Sequence, residues 1–214
     1  MSVETDDGVE SQSPVEIRIV ELACPIDWAD LFGNLNPVEI EIGSGKGRFV
    51  VQSALAHPTV NYLGIERSLH YFRLMRDRVV AAELSNARVL RDDAGYLIQK
   101  FVADNSVAAY HIYFPDPWPK NRHRKRRLFQ PEFLTEIRRT LTPGGSLDFA
   151  TDHEGYHKWI VKLLSQAPGL KPCAAVPFRV AALGEGITNF EAKYLAEGRP
   201  IYRGAVYKDV ERHL

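Results

Sequence analysis

Apolar and polar positions follow two different periods along most of the chain. Short stretches such as VEIEIG at 38–43 alternate apolar with other residues, which is typical of strands. Between them, stretches such as 68–84 repeat apolar residues at helical spacing, and Ser68 stands where a helix cap is expected. The predicted strands lie at 38–43, 60–66, 87–93, 107–114 and 146–152, and the predicted helices lie at 27–37, 47–57, 68–84, 95–102, 131–141 and 156–166.

This alternation predicts an α/β fold with a mostly parallel sheet and helices on both faces. Residues 171–181 and 200–210 read as two final strands joined by a long connection without a helix, which predicts an antiparallel C-terminal edge. Residues 1–14 are polar and acidic and read as a disordered tail. We therefore expect one domain over 15–214.

Composition restricts the class of protein. Hydrophobic residues make up 45% and charged residues 25% of the 214 residues, as in soluble globular proteins. No apolar run approaches the ~18 residues of a membrane helix, and the N-terminus lacks a signal-peptide pattern. We expect a cytoplasmic protein without a membrane partner. Cys24 and Cys173 are expected to be buried thiols, and His153 and His157 lack a third ligand, so no metal is expected.

The segment FPDPWPKNRHRKRR at 114–127 concentrates positive charge in a neutral chain. Six of the eight residues from Lys120 to Arg127 are Lys or Arg, and the remaining chain has six more acidic than basic residues. A local cluster of this kind indicates an anion site such as an RNA-facing rim, although a solvated face or a nuclear-localisation tract has the same composition. The prolines predict a rigid lip in which Asp116 and Trp118 are extended.

A glycine-rich loop follows the first predicted strand. Gly43, Gly45 and Gly47 open a helix, which would let a ligand approach the backbone closely. Arg48 follows Gly47, so the loop fits neither the dinucleotide fingerprint nor a nucleotide-triphosphate loop. A plain tight turn also accounts for three such glycines.

Acidic residues lie within, at the end of or after four successive strands. Glu41 lies within the first, Glu66 ends the second, Asp93 ends the third, and Asp116 follows the fourth. Each could simply cap the next helix, but in this order they favour an adenosine ligand held at the carboxyl ends of parallel strands. A crevice rich in acids suits a ligand with a positive centre, such as S-adenosylmethionine.

Several stretches together resemble the bacterial-type tRNA (guanine-N7-)-methyltransferase family. They are EIEIGSGKG, YLGIERS, RDDA, FPDPWPKNRHRKRRL, TPGGSLDFATDHEGY and TNFEAKYLAEGRPIY, and the resemblance runs from about Asp27 to the C-terminus. It implies a Rossmann-like class I methyltransferase fold with a seven-stranded sheet, S-adenosylmethionine as methyl donor, and a guanine in the variable loop of tRNA as substrate.

The resemblance also implies roles for individual residues. The cofactor would be bound by Glu41, Gly43, Gly45, Glu66, Asp93 and Asp116. Asp116 matches the catalytic aspartate, and the substrate would be bound by Lys120, Asp152, Thr188, Asn189, Phe190 and Glu191. Two positions depart from the pattern: Asn121 stands where a second lysine is expected, and Asn189 where a charged residue is frequent.

Two other functions remain open at this point. A methyltransferase acting on another RNA or on a small molecule would share the glycine loop and the acids, but a small-molecule substrate would not explain six cations. A non-catalytic RNA-binding protein would explain the cations but not the ordered acids. Trp118, Tyr156 and Phe190 are candidates for stacking on RNA bases, and both a monomer and a homodimer are compatible with the sequence.

Overall fold

A computed structural model of the chain describes residues 14–173 and 188–210. The strands are β1 (Glu16–Ile17), β2 (Val38–Ile42), β3 (Asn61–Ile65), β4 (Ala87–Leu90), β5 (Val107–Tyr113), β6 (Leu141–Thr151), β7 (Leu170–Pro172) and β8 (Tyr202–Lys208). The α-helices are α1 (Trp28–Phe32), α2 (Arg48–Ala56), α3 (Leu69–Ala81), α4 (Ala94–Phe101), α5 (Pro131–Thr140), α6 (Glu154–Gln166) and α7 (Asn189–Ala196). Two 3-10 helices cover Ile19–Glu21 and Asn121–Arg126.

The eight described strands form one sheet in the order β1-β4-β3-β2-β5-β6-β8-β7. All neighbouring strands among β1 to β6 are parallel, and β8 runs antiparallel to both β6 and β7. The predicted mostly parallel sheet with an antiparallel C-terminal edge is thus confirmed. The seven predicted strands gain an eighth, β1, whose two residues are too short to produce a periodic signal.

The connection before β8 differs from the prediction. The described part of this connection includes helix α7, so the expectation of a helix-free connection is wrong. β8 nevertheless reverses direction and lies between β6 and β7, as the antiparallel pairing requires. The predicted strand at 171–181 is described as far as Cys173, and the predicted tail at 1–14 lies outside the described residues except for Pro14.

Two hydrophobic clusters cover the sheet. One contains buried side chains of α1, α4, α5 and α6, and the other contains those of α2 and α3. The cysteines take no part in either core. Cys24 is exposed, with its thiol 3.0 Å from the carbonyl oxygen of Lys100, and Cys173 is half-buried, so the expectation of buried thiols is wrong.

The central strand β2 carries charge inside the fold. Val38, Ile40 and Ile42 belong to the first cluster, whereas Glu39 and Glu41 alternate with them and are only 2% and 3% exposed. Because β2 to β5 are parallel, their carboxyl ends open at one edge of the sheet. The glycine loop and the loops that carry the predicted acids meet there.

Candidate active site

The glycine loop makes a left-handed turn from β2 into α2. Gly43, Gly45 and Gly47 all have positive φ, of 76°, 53° and 72°. At Gly47 a Cβ would also lie 2.6 Å from Cγ of Met75 on α3, so no larger residue fits without displacing that helix. The loop brings backbone N–H groups at the start of α2 to the edge of the sheet.

Glu66 ties this loop to the end of β3. Its Oε2 accepts the N–H of Gly45 at 2.8 Å, and its Oε1 accepts the N–H of Ser68 at 2.7 Å. The hydroxyl of Ser68 makes no capping hydrogen bond, so only the position of the predicted cap is confirmed. The carboxylate is thereby held in a fixed orientation next to the glycines.

Asp93 lies at the next strand end and caps α4. Its Oδ1 accepts the N–H of Tyr96 at 3.1 Å, and its Oδ2 lies 3.8 Å from Nη1 of Arg67. The side chain remains 56% exposed. Capping accounts for one oxygen of Asp93, and its role toward a cofactor stays a prediction.

Glu41 is the most perturbed carboxyl group at this edge. Burial raises the pKa of Glu41 to about 8, with the negative charge of Glu66 acting in the same direction and hydrogen bonds from Ser44 and Val50 opposing it. Its Oε2 is buried and has no hydrogen-bond partner among the residues that the structure describes. Such an oxygen suits a cationic ligand group, which would supply the missing partner.

An open cleft beside the glycine loop contains half of the predicted site residues. Its lining includes Glu41, Gly43, Ser44, Gly45, Lys46, Arg48, Phe49, Tyr71, Tyr113, Thr188, Asn189, Phe190 and Lys193. Six predicted site residues are not part of this lining: Glu66, Asp93, Asp116, Lys120, Asp152 and Glu191. The lining also includes Lys193 and Tyr71, which the sequence analysis did not single out.

A buried network lies beside the cleft on the same face of the sheet as Glu41. Nε2 of His111 is 3.0 Å from Oε2 of Glu39, and Nδ1 is 3.2 Å from the hydroxyl of Tyr113 and 3.6 Å from Oδ2 of Asp148. Tyr113 lines the cleft, so the network supports one of its walls. The alternation in VEIEI was a usable signal, because it places Glu39 and Glu41 on one face.

The predicted substrate residues at β6 and α7 have partners within the protein. Oγ1 of Thr188 caps α7 by accepting the N–H of Glu191 at 3.1 Å. Glu191 is 2% exposed and pairs with Arg203, while Asp152 pairs with Arg199. These contacts place Asp152 and Glu191 at the base of α7, and a direct role toward substrate stays a prediction.

The proline-rich lip departs from the expected backbone. Phe114 and Trp118 each precede a proline and have φ of 53° and 39°, so the expectation that Trp118 is extended is wrong. A following proline disfavours the right-handed helical region, and here Trp118 adopts left-handed geometry instead. Asp116 lies between these two residues and is exposed. Positive φ at non-glycine residues often occurs at functional sites.

Most of the basic cluster is exposed, but Arg127 is not. Lys120, Arg122, Arg124, Lys125 and Arg126 are exposed to solvent. Arg127 is 6% exposed and lies over the rings of Tyr156 and Trp159, at 4.9 Å and 5.2 Å. The prediction that the whole run faces RNA is therefore wrong for Arg127.

The three aromatic candidates for base stacking differ in their exposure to solvent. Tyr156 is completely buried beneath Arg127, so it cannot stack on a base. Trp118 is half-buried and lies under Arg126 at 5.1 Å. Phe190 is 44% exposed and lines the cleft.

The histidine pair has structural partners. Nδ1 of His153 accepts the N–H of Tyr156 at 3.1 Å, and Nε2 of His157 lies 3.1 Å from the carbonyl oxygen of Arg203. Over 14–173 and 188–210, no group of three potential metal-binding side chains is found. In the same ranges, no helix has the length and apolar character to cross a membrane.

The sheet order and the glycine loop after β2 are those of the class I methyltransferase fold. Among solved structures, the 16S rRNA methyltransferase KamB matches with a TM-score of 0.57 and 16% identity, over 86% of this chain and 93% of that chain. Phosphoethanolamine N-methyltransferase 2 of Haemonchus contortus, solved with S-adenosyl-L-methionine, matches with a TM-score of 0.52 and 14% identity, over 87% of this chain and 54% of that chain.

Sequence comparison narrows this class to a family. The family described as "Putative methyltransferase" matches residues 35–204. The tRNA (guanine-N(7)-)-methyltransferase of Syntrophotalea carbinolica is 39% identical over 198 residues, which cover 92% of this chain and 85% of that protein. The chain belongs to the tRNA (guanine-N7-)-methyltransferase family. The family resemblance and the cofactor of this class, S-adenosylmethionine, are thus confirmed.

Proposed function

We propose that this protein transfers a methyl group from S-adenosylmethionine to N7 of a guanine in the variable loop of tRNA. The observation that carries the proposal is that two surfaces suited to ligands of opposite charge lie at the same edge of the sheet. The cleft contains a buried carboxyl oxygen of Glu41 that has no hydrogen-bond partner among the described residues, whereas the lip after β5 leads into the exposed cations of 120–126. One surface suits a cationic cofactor and the other a polyanion.

The described residues fit the cofactor group by group. Glu41 would accept the ammonium group, since its Oε2 has no protein partner among the described residues. Gly43 and Gly45 leave room for close approach, and Glu66 has remaining acceptor capacity for ribose hydroxyls. Asp93 is exposed enough to accept from an adenine amino group. The cofactor would supply a methyl group on a sulfonium: the methyl carbon forms a bond with the lone pair of guanine N7, and the electron pair of the broken carbon–sulfur bond stays on sulfur.

Asp116 would act on the target base. Guanine N7 carries an exposed lone pair and therefore needs no general base. Methylation places positive charge on the ring, so a carboxylate that accepts hydrogen bonds from N1–H and the amino group would stabilise the transition state more than the ground state. Asp116 is exposed and carried on the lip, which leaves its carboxylate accessible to a base.

The exposed cations would position the tRNA. Lys120 and the 3-10 helix Asn121–Arg126 that follows it present five exposed basic side chains, which would contact the phosphate backbone. Phe190, at the rim of the cleft, would offer a stacking surface. We include in this proposal a cytoplasmic location, where tRNA is available, and a monomer or homodimer as the active form.

A methyl-transfer assay tests the proposal directly. Unmodified tRNA transcripts, an unrelated structured RNA and small-molecule acceptors would each be incubated with radiolabelled cofactor at low salt. Label in tRNA, followed by chemical cleavage of the chain at 7-methylguanosine in the variable loop, is the expected result. Replacing that guanine by adenine should abolish incorporation. Absence of transfer to tRNA, or transfer to another position, would overturn the proposal.

A further inference from the structure

Helix α7 forms one wall of the cleft but contributes little to the hydrophobic core. Its first turn places Asn189 and Phe190 at the cleft, and Lys193 follows one turn later. Within α7 only Glu191 is buried, and that residue is charged. Apolar burial, the usual source of helix stability in proteins, therefore explains little of why this helix lies where it does.

Two ion pairs connect α7 to the sheet. Glu191 pairs with Arg203 on β8, where Arg203 lies directly opposite Ala150 of β6. Arg199, three residues after the helix, donates to Asp152 next to the end of β6 and lies over the ring of Tyr194 at 4.1 Å. The side chain of Asp152 is only 17% exposed. The two pairs act at opposite ends of the helix.

The aromatic contacts of α7 lead to the lip. The ring of Phe114 lies 6.4 Å from Phe190 and 5.3 Å from Tyr194, measured between centroids. Phe114 is two residues before Asp116 in the chain. The helix therefore touches both the cofactor cleft and the segment that carries the proposed catalytic carboxylate.

We propose that the Asp152–Arg199 and Glu191–Arg203 pairs are positioning contacts that dock α7 over the cofactor cleft. Asp152 and Glu191 then support cofactor binding through α7 rather than by touching the tRNA. This inference rests on the proposed function only in taking the cleft as the site of S-adenosylmethionine. It assigns a different role from the substrate contacts that the family resemblance implies for these two acids.

A double-mutant cycle without tRNA tests the inference. Asp152→Ala, Arg199→Ala and the double variant would be compared for the Kd of S-adenosylhomocysteine by calorimetry. If loss of the pair reduces the docked fraction of α7 to about a tenth, the Kd rises about tenfold. Because the residues act as a unit, the double variant should bind about as weakly as either single variant.

Hydrogen exchange supplies a readout that does not depend on the cofactor. Amides of 189–196 should exchange faster in each variant, while those of β2 to β5 keep the wild-type rate, which also shows that the sheet is folded. Glu191→Gln should have the same effects through the other pair. Glu197→Ala is the matched control, because Glu197 is 3.7 Å from Arg199 but 43% exposed, and it should change neither readout.

Two results would overturn the inference. One is a normal cofactor Kd and normal exchange of α7 in Asp152→Ala, together with weaker tRNA binding, as a direct contact would give. The other is a double variant in which the two losses of affinity multiply. A wild-type protein that binds cofactor but methylates no tRNA would refute the proposed function. The cofactor Kd and the hydrogen exchange of α7 would still test this inference.

Discussion

Nε of Arg127 donates a hydrogen bond to the carbonyl oxygen of Pro117 over 2.9 Å, and Nη2 of the same side chain reaches the carbonyl oxygen of Trp118 at 3.4 Å. One guanidinium thus joins the end of the basic cluster to the residue that directly follows Asp116. Tyr156 and Trp159 hold that guanidinium from below. The last cation of the run is therefore part of the support of the lip.

Arg127→Lys should reduce turnover about tenfold and leave the salt dependence of tRNA binding unchanged. A lysine retains the charge but cannot form the two directed hydrogen bonds or the stacked contact. Lys125→Ala is the comparison, because Lys125 is exposed. That change should lower the slope of log Kd against log salt by about 0.9 and affect turnover little. A lower salt dependence in Arg127→Lys, together with reduced turnover in Lys125→Ala, would contradict this account of Arg127.

The affinity for S-adenosylmethionine should depend on the ionisation of Glu41. The pKa of Glu41 is raised to about 8 by burial, so below pH 8 the carboxyl is mainly protonated and must lose its proton to pair with an ammonium group. The Kd should therefore decrease as pH rises from 6 to 8, by up to about tenfold per unit, and level off above. Calorimetry of Glu41→Gln should show weaker binding at pH 8 and a flat profile. A wild-type Kd that is constant over this range would disprove the pairing.

Glu41 should also make stability depend on pH. Its folded-state pKa of about 8 exceeds its ordinary value of 4.5, so folding favours the protonated form. The resulting contribution to stability is fully present below pH 4.5 and is lost as pH rises to 8. Glu41→Gln removes this loss. In urea titrations, the free energy of unfolding of the variant should gain on wild type by up to about 1.4 kcal/mol per pH unit between 5 and 8. A difference that does not change with pH would contradict the raised pKa.

Gly47→Ala should destabilise the protein more than Gly144→Ala. Both glycines have positive φ, of 72° and 78°, so both substitutions carry a backbone cost of about 1–2 kcal/mol. Only at Gly47 does the new methyl group meet Met75, whereas nothing lies within 4 Å at Gly144. Overpacking adds about 1–3 kcal/mol at the first site. Equal shifts in the urea midpoint would show that the contact with α3 is unimportant.

The sequence predicted what depends on local pattern and on strand order. The glycine loop, Glu66 and Asp93 were found because each follows a strand whose period is visible, and parallel strands bring their ends together. Glu41 was found because it alternates with apolar residues in the same strand. These features required no knowledge of packing.

What the sequence did not predict depends on contacts between distant segments. Arg127 cannot be distinguished from its basic neighbours until Tyr156 and Trp159 of α6 are placed beneath it. Helix α7 was missed because its single buried residue, Glu191, gives no apolar period, and its partner Arg203 lies on another element. The left-handed backbone of Trp118 runs against the preference of a residue before proline, and Arg127 holds it from outside the segment.

The central claim is that Asp116 stabilises methyl transfer to a guanine that is brought beside the cofactor cleft. Single-turnover methylation of saturating tRNA by Asp116→Asn, with cofactor and tRNA affinities measured in parallel, tests it most directly. We predict a rate about 100-fold below wild type or lower, with both affinities close to wild type. A variant that methylates the variable-loop guanine at the wild-type rate, with cofactor affinity intact, would contradict the claim.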